Sequence, residues 1–411
     1  MIPLLFPPLL GAQDIPLAWD FAEVWRAGGL DAAEWAQFAR YGYVAFDGSG
    51  NLYVVDGQAH HILKVGPDGS LVTTIGREGE GPGEFGLIQG VVVWPDGSFV
   101  VSEASRSGFQ LFGADGKFER VVRWRPAGQP DLPVLLGRTM RAGPRPGILY
   151  AKGTDAGFGR GFAELRGNEP EEEAADERMI EALDLAGDLV AGEIVLEAWR
   201  PPRPDSGDAE FELEDPASMM GTLTEAPVFE PELVWDVLPD GAIAYADSST
   251  YTVRIVRDGV VVNTLTRPIA PQPVTRAIES RMREEMRSVD LSEVDISVSG
   301  IDMEALRRQM RRAMRANIEN WTFYPEVPVI AGIRTTPDGF VWVRRQDPVT
   351  DDNAGLIDVF DPEGSYVGTF PKGGLRMPVA FGPGGLVAYW ETDDMDIPSI
   401  VVYRLPEKLR R

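Results

Sequence analysis

Gly50-Asn51-Leu52-Tyr53-Val54-Val55-Asp56 and Gly97-Ser98-Phe99-Val100-Val101-Ser102-Glu103 are one pattern written twice, 47 residues apart. Each opens on a turn glycine and continues as an apolar strand ending in an acid. The same offset, without gaps, relates Ile62 to Phe109, Val65 to Phe112 and Asp68-Gly69 to Asp115-Gly116. Self-similarity at a period in the forties marks a repeat architecture, and that period suits a four-stranded propeller blade. Each unit reads as strand, glycine turn, strand, polar loop, strand, Asp-Gly turn, strand.

The unit recurs along the chain. Pro239-Asp240-Gly241 sits inside a copy at Leu233 to Leu265, and Pro337-Asp338-Gly339 inside one at Val329 to Phe370. Pro378 to Leu405 holds another around Gly384-Gly385, and a weaker copy lies between Leu135 and Trp199 around Gly147-Ile148-Leu149-Tyr150. The last unit is one strand short, and Ile15 to Trp25 is placed to supply it. Joining the two ends of the chain in this way leaves no sheet edge open around the ring. The predicted fold is all-β, a six-bladed β-propeller over residues 15–411 with an acidic insertion and a helical-hairpin insertion.

Gly76-Arg77-Glu78-Gly79-Glu80-Gly81-Pro82-Gly83-Glu84-Phe85, followed by Val91-Val92-Val93 and a Pro-Asp-Gly turn, resembles the loop between blades of NHL-repeat propellers. The chain as a whole resembles bacterial extracytoplasmic six-bladed propellers of that group, closely over 41–124 and 329–405 and loosely between. The resemblance implies the fold and export. It implies no single activity, since members include binding scaffolds and a few lyases, so function must be argued from sites. The loop itself is no phosphate loop: it lacks the Gly-Lys-Ser/Thr ending and leads into a strand.

Composition removes several classes of function. With no cysteine among 411 residues, thiol nucleophiles, disulfides, zinc–thiolate sites and iron–sulfur clusters are excluded. The two histidines, His60 and His61, are adjacent in a polar loop, a poor basis for a catalytic triad or a transition-metal site. The net charge of −25 repels phosphate backbones and anionic headgroups, so nucleic acid is not an expected partner. No cofactor is expected. Calcium is the conceivable metal, through Asp351, Asp352 and Asn353 or through Asp393, Asp394 and Asp396, although neither cluster fits the twelve-residue calcium loop.

Three segments stand outside the blade pattern. Residues 1–14 begin Met-Ile-Pro-Leu-Leu-Phe-Pro-Pro-Leu-Leu, an apolar run that reads either as a signal remnant or as a retained arm. In the second reading Leu4, Leu5 and Phe6 dock on a partner or dip into a membrane; ten apolar residues are too few to span one, which takes about 20. The acidic insertion spans about 164–230; residues 164–215 hold 18 acids against 4 arginines, and Ala174 to Leu185 could form a short helix. The third segment, about 270–325, is Arg- and Met-rich and reads as two helices, one over Val274 to Ser288 and one from the Asp302 cap to about Asn320. The second carries Met303, Leu306, Met310, Met314 and Ile318 on one face, flanked by Arg307, Arg308, Arg311, Arg312 and Arg315. Solvated or internally paired arginines are the plain reading; adaptable Met faces flanked by Arg also suit an interface.

The expected function is a non-enzymatic scaffold for protein–protein interaction, an extrinsic subunit of an envelope or membrane complex of respiratory or photosynthetic type. The expected location is extracytoplasmic, in the periplasm or envelope. The expected contacts are Arg307, Arg308, Arg311, Arg312, Arg315, Met310, Met314, Leu4, Leu5 and Phe6. One alternative is an extracytoplasmic lyase or hydrolase with its site at the channel mouth; another is a soluble peptide- or sugar-binding propeller. Arg138, Arg334, Arg344 and Arg345 lie near inner strands and could hold an anion in the channel, with paired charges as the simpler expectation. Trp94, Trp124, Trp199, Trp235, Trp342 and Trp390 are expected in the core between blades rather than on a ligand platform.

Overall fold

The structure is a computed structural model that describes residues 13–38, 42–56, 60–103, 108–124, 139–153, 177–202, 226–288, 318–347, 355–373 and 375–411. The first strand, β1 (Ala22–Gly28), belongs to the last blade. Blade 1 is β2 (Val44–Phe46), β3 (Leu52–Asp56), β4 (His61–Val65) and β5 (Leu71–Ile75). Blade 2 is β6 (Ile88–Val93), β7 (Phe99–Glu103), β8 (Gly108–Phe112) and β9 (Phe118–Arg123). Blade 3 is β10 (Met140–Ala142), β11 (Ile148–Lys152), β12 (Met179–Asp184) and β13 (Ala191–Glu197). Blade 4 is β14 (Val234–Val237), β15 (Ile243–Ala246), β16 (Thr252–Arg257) and β17 (Val260–Thr266). A two-stranded ladder, β18 (Gln272–Pro273) with β19 (Glu326–Val327), then brackets helix α1 (Arg276–Ser288). Blade 5 is β20 (Ile330–Thr335), β21 (Val341–Arg345), β22 (Ile357–Phe360) and β23 (Tyr366–Phe370). Blade 6 is β24 (Ala380–Gly382), β25 (Leu386–Thr392) and β26 (Pro398–Arg404), completed by β1.

The six-bladed propeller is therefore the fold, and the missing strand comes from the N-terminal side: Ala22 pairs with Arg404 and Gly28 with Ser399. The core explains why the blade strands read as nearly continuous apolar runs rather than as half-buried alternation. Successive residues of a strand point to opposite faces of the sheet, and each blade is sandwiched between two others. Leu52 and Val54 pack toward blade 6, whereas Tyr53 and Val55 pack toward blade 2. Six such clusters fill the six gaps between blades. Trp94, Trp235 and Trp342 are buried in them, Trp124 and Trp390 are half-buried against them, and Trp199 is exposed.

The turn chemistry follows the sequence. Gly97 adopts φ +86°, which its Pro-Asp-Gly turn requires, while its carbonyl accepts a hydrogen bond from the buried Tyr53 hydroxyl at 2.9 Å. In the loop from blade 1 to blade 2, Gly76 has φ +81°, and a methyl group there would overlap the Phe85 ring. The buried Glu103 and Gln110 hold that loop down. Glu103 accepts from the Gly86 N–H at 2.6 Å, and Gln110 accepts from the Gly83 N–H at 2.9 Å.

Two expectations about the insertions meet the structure. A helix at Ala174 to Leu185 does not form: Met179–Asp184 is strand β12, with Leu183 buried toward blade 2 and Ile180 toward blade 4. Burial on both faces of a blade outweighs the helical preference of Glu, Ala and Leu. The first insertion helix does form, as α1, and residues 318–320 are helical too. The rest of the second helix, with Arg307, Arg308, Arg311, Arg312, Arg315, Met310 and Met314, lies outside the described residues, as do Leu4, Leu5 and Phe6.

Candidate functional site: a cationic channel mouth

The direction of the strands sorts the connections onto two faces. Within every blade neighbouring strands are antiparallel, from the inner strand outward. The hairpins after the first and third strands therefore share one face of the ring. The connections after the second strand, and those between blades, share the other. The long connections leave from this second face, among them residues 29–43, 76–87, 124–139, 153–178, 198–233, 267–329 and 346–356. We call it the insertion face. The inner strands β2, β6, β10, β14, β20 and β24 succeed one another around a central channel and begin at this face.

Two cavities of about 290 Å³ each adjoin there, sharing Glu232 and Val234. The first lies beneath α1 and is acidic and apolar, with Glu230, Glu285 and Asp347 beside Val228, Phe229 and Met282. The second enters the channel and is cationic. Blade 3 contributes Arg141 and Lys152, blade 5 contributes Arg334 and Arg344, and Glu232 is the one acid in its wall among the described residues. Arg344 reaches the cavity across Gly332, its register partner, and donates to the Ala331 carbonyl at 3.2 Å. Arg141 lies over the Trp235 ring, 5.8 Å from its centre, and its Nε donates to Asp236 Oδ1 at 2.6 Å. The other oxygen of Asp236 accepts the Thr335 N–H at 2.8 Å.

Arg334 is different. Among the described residues it makes no hydrogen bond and no ion pair; the nearby Asp236 accepts instead from Arg141 and Thr335. The charge of Arg141 and the half-buried setting pull its guanidinium down to about 10, against the pull of Asp236 in the other direction. Thus Arg334 and Arg344 reach the channel, as the sequence allowed, whereas Arg345 is consumed in a pair and Arg138 lies outside the described residues. Trp235, expected in the core, is buried there and also lines the cavity, while Arg141, Lys152 and Glu232 carry no such expectation. Their signal was position: Arg141 immediately precedes the inner hairpin around Gly147-Ile148-Leu149-Tyr150 and so had to sit on an inner strand.

Arg345 belongs to a clasp between blades 4 and 5. The fully buried Asp358 accepts from Arg267 at 2.8 Å, from Arg345 at 2.8 and 2.6 Å, and from the Tyr251 hydroxyl at 2.6 Å. Asp14 joins both guanidiniums from outside, at 2.8 Å from Arg267 and 2.6 Å from Arg345. Burial and the Asp358 charge push the Tyr251 hydroxyl well up. The clasp is saturated and tethers the N-terminal segment, where Leu17 and Thr369 are also joined through their backbones.

The histidines stand apart from both cavities. His60 Nδ1 lies 2.8 Å from the Gly86 carbonyl, and His61 opens β4. Among the described residues no three His, Asp or Glu side chains gather as metal ligands. Asp393 spends its carboxylate on its own turn, accepting the Met395 and Ile397 N–H groups at 2.9 and 3.0 Å; Asp351, Asp352 and Asn353 lie outside the described residues. No described helix is long and apolar enough to cross a membrane.

No family model matches the chain, and no curated protein matches it by sequence. Solved structures do. A Bacteroides fragilis protein described as exported is 11% identical, with 97% of this chain and 98% of that chain covered and a TM-score of 0.49. A member of the DUF4221 family from Bacteroides vulgatus is 8% identical, with 94% of this chain and 98% of that chain covered and a TM-score of 0.50. At such identity the likeness is one of architecture, and what it establishes about this chain is its fold, a six-bladed β-propeller.

Proposed function

We propose that the chain is a non-enzymatic propeller scaffold that docks a protein partner on its insertion face. One observation carries this. Among the described residues, six exposed large apolar residues, Leu30, Tyr43, Leu87, Trp199, Val379 and Met395, sit on connections of that face; on the other, Leu189 lies on a hairpin loop and Val260, Val261 and Val262 begin β17 beside another. Apolar side chains gathered on one side of a soluble ring are what an interface uses. The acidic and Arg/Met-rich insertions leave from the same side and supply charge complementarity for choosing the partner. In this reading the partner is an extracytoplasmic, membrane-associated complex, and the apolar run Met1 to Leu10 adds a second attachment.

The test is a pull-down from native membranes read by mass spectrometry. It compares the intact chain with a variant carrying Leu87→Ser, Trp199→Ser and Met395→Ser, with one lacking Met1 to Gln13, and with one whose helix arginines are replaced by Gln. Loss of a defined membrane-associated partner from the first variant is expected. A monodisperse monomer that captures no membrane-associated partner, or capture indifferent to all three changes, overturns the reading.

A further inference from the structure

We infer that the cationic cavity at the channel mouth is a binding site for a small polyanion, a molecule carrying two or more carboxylate or phosphate groups. The inference is independent of protein docking on the insertion face. It starts from an imbalance. In a chain of net charge −25, four cationic side chains, Arg141, Lys152, Arg334 and Arg344, converge on one cavity with Glu232 as the single acid in its wall among the described residues. Such a concentration opposes the field of the rest of the molecule. The local pairing leaves it standing. Asp236 accepts from Arg141 and from the Thr335 backbone, and Arg334 makes no hydrogen bond to it among the described residues. A guanidinium in this position offers a planar fork of donors suited to a carboxylate or phosphate.

A second observation is independent of charge. Trp235 also lines the cavity, is only 5% exposed, and its indole N–H has no acceptor among the described residues. Buried donors are nearly always paired in folded proteins, and an oxyanion in the cavity supplies the missing acceptor. The donor set thus contains three guanidiniums, one ammonium and one indole, all lacking lone pairs to offer. That composition selects acceptors. The single Glu232 adds a place for one hydroxyl or ammonium hydrogen on the ligand. The volume, about 290 Å³, is at the small end of ligand pockets, which fits a compact molecule rather than a peptide or a glycan chain.

The site is rigid where it matters. Arg141 and Arg334 stand on inner strands of blades 3 and 5, Trp235 on that of blade 4, and the walls between are core. A ligand here bridges three consecutive blades.

The experiment is titration calorimetry on the full chain at low salt, with citrate as the polycarboxylate probe, pyrophosphate as the phosphate probe, and acetate and glucose as controls. Binding of citrate, pyrophosphate or both is expected, and which one binds assigns the source of the oxyanions. Affinity should fall steeply with salt. Arg334→Met should weaken binding at least tenfold, and Trp235→Phe several-fold. A thermal melt accompanies each variant. Arg334→Met should melt no lower than the parent without ligand, because it removes a charge held against Arg141, and should lose the upward shift that the probe gives the parent. If Arg334→Met does not fold, Arg344→Gln takes its place with the same expectation. The inference is overturned if neither probe binds at millimolar concentration, if acetate binds as tightly as the polyanions, or if the arginine variants bind within twofold of the parent.

Discussion

Asp358→Asn is the most informative single change for the stability of the ring. The side chain keeps its shape and loses its charge, in a position with no exposure. Among the described residues, Arg267, with 4% of its side chain exposed, then retains only Asp14 as an ion-pair partner, and so does Arg345. Removing one partner from a buried ion pair costs about 3–5 kcal/mol, because the other charge stays buried without compensation. Asp14 stays within reach of both guanidiniums, so the lower end applies, about 3 kcal/mol. Asp14→Asn is the matched control. Its side chain is 36% exposed, solvent screens its pairs, and its loss should cost about 0.5–1 kcal/mol. Urea unfolding followed by tryptophan fluorescence reads both, since Trp342 is buried between blades 5 and 6. The reasoning is refuted if Asp358→Asn costs less than about 1 kcal/mol, or if Asp14→Asn costs as much as Asp358→Asn.

Three further outcomes are expected. The hydrogen bonds and charges of Arg345 and Arg267 outweigh burial, which acts upward, and hold the Asp14 carboxyl below its usual value of 3.8. A carboxyl depressed by folding stabilises above its unfolded value and stops doing so as pH falls through its folded one. The stability gap between the parent and Asp14→Asn, measured by urea midpoints, should therefore hold at pH 5 to 7 and close below about pH 4. Gly76→Ala combines a positive φ with a clash against Phe85 and should cost about 2–4 kcal/mol in the same assay; an unchanged midpoint would count against the loop geometry. Deleting residues 1–29 strips β1 from β26 and bares its edge, so size-exclusion chromatography should show oligomers or no soluble chain, whereas a stable monomer would contradict the ring closure.

The blades were legible wherever turn and strand reinforced each other. Pro95-Asp96-Gly97 and Pro337-Asp338-Gly339 announce inner hairpins because only a few residues accept that backbone, and the strands beside them are apolar on both faces. Blade 3 was harder to read. Its third strand is Met-Ile-Glu-Ala-Leu-Asp, whose local preference is helical, and only the neighbouring blades make it a strand. The cationic cavity was legible only in part. Arg334 and Arg344 could be placed near an inner strand by counting from their turn. Their meeting with Arg141 and Lys152, nearly 200 residues earlier, depends on the curvature of the ring, which no local pattern encodes. The saturation of Arg345 was equally hidden, since Asp14 and Asp358 are 344 residues apart. Charge pairing is a property of the closed ring, and the composition shows only that acids outnumber bases.

The closure of blade 6 bears on how the chain comes to be folded. Strand β1 precedes all five complete blades in the chain, yet its partner residues in β26 follow 371 to 382 residues later. Such a pairing carries a large loop-closure entropy and comes late in folding. Blades 1 to 5 each contain all four of their strands locally and can assemble in order as the chain emerges. Strand β1 must wait through all of this with an unsatisfied edge and an unburied Trp25. A chain cut short before Pro398 would leave that strand without its partner for good. The ring thereby checks its own assembly: chains that include β26 lock, and those that stop short of it stay open to proteolysis.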